Sequence, residues 1–405
     1  MKSFLHLDFE SRSTQELRRE KSVGLHNYWC HIDTRPLMLA WAYDDEPVEL
    51  WLPDAENMPV NLRKGLEDPA QPLAAFNSTF ERYALKYKLG IDTAIDRWYD
   101  PQASARYLSL PGDLETVGQV LGLPRELAKD KRGEDLIELF SKPHKQKKQK
   151  RSDPDVWVFY DSTTHPKEWE EFEAYCRQDV VSEREIMRRE TLLHAFPLPE
   201  LERKIWVFDQ TVNDRGMPVD IEFVRKMYTL ASRSKEEAIQ KQNQLTGLEN
   251  ANSPIQMLAW AKEQGYEPGT LRKETVTAQL AYHSDTMTPL CIEVLEARKA
   301  ASSTTYKKLS AVMRQISSDN RLRNAFIYMG SSRCGRWSSG AAQLHNLARP
   351  GVLNGYNFED EDVMNEARQM VRDMNYEGIK EKYGSVLLVV KFLIRTIFSV
   401  ESCNA

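Results

Sequence analysis

Residues Leu5–Glu10 read Leu-His-Leu-Asp-Phe-Glu, an alternation that only an extended strand sorts onto two faces. Leu5, Leu7 and Phe9 fall on one side, and His6, Asp8 and Glu10 on the other. Two carboxylates two residues apart on one face repel each other. Either water solvates them at the edge of a sheet, or they share a divalent cation, a hard ion that takes carboxylate oxygens and keeps both groups charged. The hexapeptide by itself allows both.

A chain of 405 residues is long enough for two or three domains with a sizeable core. A net charge of −5 argues against a uniformly basic coat for nucleic acid while permitting local basic patches. Cys30, Cys176, Cys291, Cys334 and Cys403 are scattered and form no C-x-x-C pair, so neither a disulfide framework nor a zinc knuckle is indicated and a reducing compartment is expected. No apolar run approaches the ~20 residues of a membrane helix and no leader pattern opens the chain, which points to the cytoplasm.

Pro36–Tyr43 and Val48–Leu52 are strand-like and flank the turn Asp44-Asp45-Glu46-Pro47, predicting an antiparallel three-stranded start with Leu5–Glu10. Leu73–Phe76 is a further short strand, followed by Asn77-Ser78-Thr79-Phe80-Glu81 and a helix ending near Gly90. Helices are expected over Gln102–Leu110, Asp113–Leu121 with Asp113 as the cap, and Glu134–Phe140, giving an α/β domain. Ser141–Arg151 then carries six cations and no acid, Lys145, Lys147 and Lys148 among them. It is either a solvated loop or an arm for nucleic-acid phosphates.

Pro166 suits the first position of a helix running to Met187. At 100° per residue Trp169, Phe172, Tyr175, Cys176, Asp179, Val180, Ile186 and Met187 share one side. Asp179 therefore sits inside an apolar stripe, where a carboxylate is costly unless paired or metal-bound. Tyr175 lies one turn before it on the same face. Beyond the linker Ala195–Pro199, helices are expected through Trp206, over Phe223–Leu245, Pro254–Glu263 and Thr288–Ile316, with a strand at Arg321–Gly330 and helical stretches at Asp360–Arg372 and Tyr376–Ile397.

The order Asp8-x-Glu10 on a first strand, Glu81 after a later strand, and Tyr175-x-x-x-Asp179 on a late helix resembles the DEDD 3′–5′ exonucleases, in the branch whose third motif carries tyrosine. The resemblance implies a ribonuclease-H-like fold and two divalent cations, Mg²⁺ or Mn²⁺, held by Asp8, Glu10, Glu81 and Asp179, with Tyr175 orienting the attacking water. It also implies that Phe9 and Asn77 contact the nucleic acid. This chain carries Asn77-x-x-x-Glu81 where the family pattern has Asn-x-x-x-Asp. Ser78-x-x-Glu81 is also a capping box, which would occupy Glu81 at its own helix instead.

The second half is similar to family A DNA polymerases of the DNA polymerase I type, most of all those of bacteriophages. Gly335-Arg336-Trp337-Ser338-Ser339 and Gln343-Leu344-His345-Asn346-Leu347 look like the stretch that touches the primer–template minor groove. Gly216-Met217-Pro218-Val219-Asp220, Asn252-Ser253-Pro254, and Arg298 with Thr305-Tyr306 resemble the entry to the polymerase domain and its thumb. The resemblance implies DNA contacts at Arg336, Ser338 and Asn346, and an exonuclease domain over 1–195. It implies a mainly α thumb and start of the palm over 196–350, and an incomplete, helical palm over 351–405. Tyr383-Gly384 and Leu393-Ile394-Arg395 look like the helix before the first polymerase catalytic motif, so the sequence leads us to expect either a fragment or a split enzyme whose palm and fingers a second polypeptide completes. The expected activity is proofreading within a DNA polymerase in the host cytoplasm. The alternatives are a freestanding DNA or RNA exonuclease and a non-catalytic DNA-binding subunit.

Overall fold

The computed structural model describes residues 3–17, 21–124, 132–146, 155–301, 305–331, 334–340 and 342–398. These fall into two compact units, Met1–Met217 with Arg314–His345, and Pro218–Met313 with Asn346–Ala405.

The first unit runs β1 (Leu5–Arg12), α1 (Leu25–Cys30), β2 (Arg35–Tyr43), β3 (Glu49–Trp51), α2 (Val60–Glu67), β4 (Leu73–Ala74), α3 (Thr79–Lys88), β5 (Trp98–Tyr99), α4 (Pro101–Tyr107), α5 (Leu114–Val120) and α6 (Gly133–Ser141). The hairpin β6 (His144–Lys145) and β7 (Trp157–Val158) leads to α7 (Pro166–Arg188), α8 (Glu190–Leu193), α9 (Glu200–Arg215) and β8 (Met217–Pro218). Later residues add β9 (Arg321–Leu322), β10 (Phe326–Ser331) and β11 (Arg336–Ser339).

The five-stranded sheet has the order β3-β2-β1-β4-β5, antiparallel on the β2–β3 side and parallel on the β4–β5 side. The predicted antiparallel start is present. β1 is the central strand, so the reading of its acids as a solvated sheet edge does not hold. Its two faces meet different cores. Leu5, Leu7 and Phe9 pack with Leu39, Trp41 and Tyr83, while α7 packs on β1 and β2 and covers the face of Met38 and Ala40 with Phe172, Tyr175, Cys176 and Val180. Near the acids the ladder is irregular: Glu10 pairs with Met38 and Ser11 with Pro36, leaving Leu37 as an extra residue. Pro36 has no N–H to give to the ladder, and such bulges re-aim side chains.

Every stripe residue expected on α7 is buried, and Pro166 takes the first helical position. Asp113 caps α5 through its side chain, 2.8 Å from the Thr116 N–H. The strand expected over Arg321–Gly330 is two strands, because Asn324 takes a positive φ of 52° and its N–H turns to the Asn213 carbonyl.

The second unit contains α10 (Ile221–Thr246), α11 (Pro254–Glu263), α12 (Lys273–Tyr282), α13 (Pro289–Ala301), α14 (Thr305–Gln315), the hairpin β12 (Val352–Leu353) and β13 (Tyr356–Asn357), α15 (Glu361–Arg372), α16 (Tyr376–Tyr383) and α17 (Val386–Leu393). Ala261, Tyr266, Val276, Met287, Cys291 and Leu295 form one of its cores. Of the helix expected over Thr288–Ile316, α13 and α14 are helical, and residues 302–304 between them lie outside the described residues. The helical stretch expected over Tyr376–Ile397 breaks at Gly384, whose left-handed φ of 77° ends α16, and Ser385 then caps α17 at the Leu388 N–H. No helix among the described residues is long and apolar enough to cross a membrane.

Candidate metal centre and nucleic-acid interface

Strand period two aims Asp8 and Glu10 at α7, and the helical stripe aims Asp179 back at them. One carboxylate oxygen from each lies within 4.8 Å of the others, and Asp179 is buried. Three carboxylates gathered this closely repel, and a group of hard oxygen donors could hold a divalent cation. Neighbouring groups register the negative field. Burial first, then Asp8 and Glu10, push the Cys176 thiol well up. Burial, then Asp179, Glu10 and Asp8, push the Tyr175 phenol far above its ordinary value, so it stays protonated and acts as a hydrogen-bond donor.

Glu81 is outside this group of three. It is buried in the first turn of α3, its carboxyl accepts from its own and the Phe9 backbone N–H, and its Oε2 has no partner. Burial raises its pKa well above the usual carboxylate range. The capping box does not form: the Ser78 N–H and hydroxyl both donate to Asp100, at 3.0 and 3.1 Å.

Sequence reasoning missed Asp100, which also takes the N–H groups of Asn77 and Gln102 and so fixes Asn77 at a φ of 71°. Its cap of α4 was legible locally, since Asp100 stands just before Pro101 at the head of the helix, but its bonds to Asn77 and Ser78 reach back more than 20 residues and no local pattern announces them. It missed a second buried pair, His6 Nδ1 with Glu183 Oε1 at 3.1 Å. That pair was findable: Glu183 follows Asp179 by one turn, and His6 shares the face of Asp8.

Of the residues expected to contact nucleic acid, Phe9 is buried in the core on the face away from the acids. Lys145 is bound to Asp155 at 2.7 Å, and Lys147 and Lys148 lie outside the described residues. Arg336 is exposed at the start of β11. Ser338 pairs with Ile327, and a Cβ at Gly330 would lie 2.0 Å from Ser338 Oγ, so a side chain there would push the hydroxyl aside. Asn346 is exposed, and its carbonyl accepts the Lys308 ammonium. A groove beside the acids is lined by Glu10, Ser11, Tyr28, Phe80 and Lys142.

No protein-family model matches the chain. A solved structure described as the POL domain of Pol1 from M. smegmatis in complex with DNA primer-template and dNTP aligns with a TM-score of 0.49 and 13% identity, over 86% of this chain and 52% of that one. The chain is 31% identical over 395 residues to a DNA polymerase of Bacillus phage SP02, covering 97% of this chain. It is thus similar along nearly all its length to a phage DNA polymerase, of which it spans 57%.

Proposed function

We propose that this chain is the editing and duplex-gripping part of a family A DNA-directed DNA polymerase, and that its own chemistry is 3′–5′ exonucleolytic removal of nucleotides. The observation that carries this reading is the convergence of Asp8, Glu10 and Asp179 within 4.8 Å from a central strand and a covering helix. The likeness to a phage DNA polymerase and the mixed sheet with β1 at its centre support it, and the sheet suits a ribonuclease-H-like exonuclease.

Asp8, Glu10 and Asp179 would hold divalent cations, and Glu81, with its unpartnered Oε2, would assist through water. The cations would neutralise the phosphodiester and lower the pKa of the attacking water. Tyr175 remains a phenol and orients that water by donating or accepting a hydrogen bond rather than by removing its proton. Asn77, held in its turn by Asp100, presents its side chain at the head of α3 to the 3′ end. Arg336, Ser338 and Asn346 would meet primer–template backbone and groove, giving salt-dependent affinity without sequence preference. On this reading 1–195 is the exonuclease, 196–350 the thumb and start of the palm, and 351–405 the helical start of the palm.

The test is release of nucleotides from 5′-labelled single-stranded DNA in Mg²⁺. Asp8→Ala should lower it by at least about a hundredfold, since removing a ligand costs more than disturbing its support. Undiminished activity overturns the reading. RNA degraded as fast as DNA points instead to a general nuclease.

A further inference from the structure

A cavity of about 250 Å³ in the first unit lies between α4, α9 and β10, with Asn77 and Asp100 also in its lining, and the part of it around Asp209 and Arg106 has no role in the steps above. Asp209, Arg106, Asn324, Trp206 and Phe326 are in its wall. Asp209 is 2% exposed; its Oδ2 accepts from Gln210 Nε2 at 3.0 Å and Asn213 Nδ2 at 3.2 Å, while its Oδ1 has no hydrogen-bond partner among the described residues. Asn324 Oδ1 is likewise buried and unpartnered. Arg106 faces the same space with its guanidinium laid over Gly112, where a Cβ would lie 2.9 Å from its Nε. Among the described residues it has no hydrogen-bond or ion-pair partner, although Asp209 feels its charge. The cavity therefore offers two vacant acceptors, a vacant planar donor and aromatic walls.

Leaving such groups desolvated and unmatched is costly, so the arrangement favours an occupant that supplies both halves at once. We propose that this cavity is a binding site for one nucleobase with a lactam edge, guanine or thymine. The ring N–H would donate to Asp209 Oδ1, the adjacent carbonyl would accept from Arg106, and the ring would lie against Trp206 and Phe326. Guanine adds an exocyclic amine for Asn324. Adenine turns an unprotonated ring nitrogen toward Asp209 and is disfavoured. The volume suits a single nucleoside rather than several nucleotides.

The source is either a free nucleoside or one base of a single strand, and the experiment separates them. Full-length protein in chelator is titrated calorimetrically with 2′-deoxyguanosine, thymidine and 2′-deoxyadenosine. Asp8→Ala protein is titrated with an oligo-dA strand with or without one central dG. Binding of deoxyguanosine and thymidine, about tenfold or more tighter than deoxyadenosine, supports a free-nucleoside site. A preference confined to the dG-bearing strand supports a strand-base site. In either case Asp209→Asn and Arg106→Gln, checked for folding by circular dichroism, should each weaken the preferred ligand at least about tenfold and leave exonuclease turnover unchanged. Among the described residues Arg106 makes no hydrogen bond, so its variant keeps the test open if Asp209→Asn misfolds. No binding up to about 5 mM in either format, equal binding of deoxyadenosine, or undiminished binding by a folded variant overturns the site. Because nucleosides carry no phosphodiester, a failure here leaves the exonuclease reading untouched.

Discussion

At neutral pH the Asp209 carboxylate is charged in a place where water barely reaches it. Burial lifts its pKa to about 6, against the pull of Gln210, Asn213 and Arg106 and with a push from Asp214. The unfolded chain releases this proton near 3.9, so between roughly pH 4 and 6 the folded state holds more protons and loses stability as pH rises. Above that window the cost is about 3 kcal/mol. Asp209→Asn should therefore melt higher than the parent at pH 8 and match it below about pH 4, as read by thermal denaturation across pH. Arg82 is the opposite case. Buried on α3, it donates to both Asp214 carboxylate oxygens at 2.7 and 3.1 Å and to the Gln210 side-chain Oε1 at 3.0 Å. Arg82→Ala should cost about 3 kcal/mol in urea unfolding, because partners left behind lose a desolvated charge.

Where α6 meets α7, the contact is a glycine against a ring. A Cβ at Gly133 would fall 2.1 Å from Tyr175 Cε2, so α6 can lie this close only with no side chain there. Gly133→Ala should displace the Tyr175 ring and slow exonuclease turnover about 10- to 100-fold with little change in metal affinity, since small misplacements of a positioning group are expensive. Steady-state kinetics against Mg²⁺ concentration checks both halves. Elements of this kind differ in how well sequence announces them. β1 and α7 were legible because periods of two and 3.6 run long enough to count, and the two stripes bring Asp8, Glu10, Tyr175 and Asp179 together. β4 was announced only by its short apolar run at Leu73–Phe76, while β5, two residues long, shows no period. The break at Gly384 was written in the chain, but the apolar run on either side reads as one helix. The cavity around Asp209 was illegible, since its walls come from residues near 100, 209 and 326 that only the fold brings together.

For the whole molecule, two units with separate cores predict two calorimetric transitions. Mg²⁺ at a hundred times its dissociation constant should stabilise the transition of the first unit by about 2.7 kcal/mol and leave the other in place. Asp8→Ala should erase that response, as differential scanning calorimetry would show. The central position of β1 also has a meaning in time. Cys176 Sγ reaches the Asp8 carbonyl at 3.5 Å across 168 residues of chain. At typical rates of synthesis the acid-bearing strand is made about 10 to 30 s before the helix that completes the cluster. A growing chain thus holds two of the three clustered carboxylates and lacks the third until most of the first 190 residues have left the ribosome. On the exonuclease reading, any metal-dependent cutting would begin only once α7 has docked on β1.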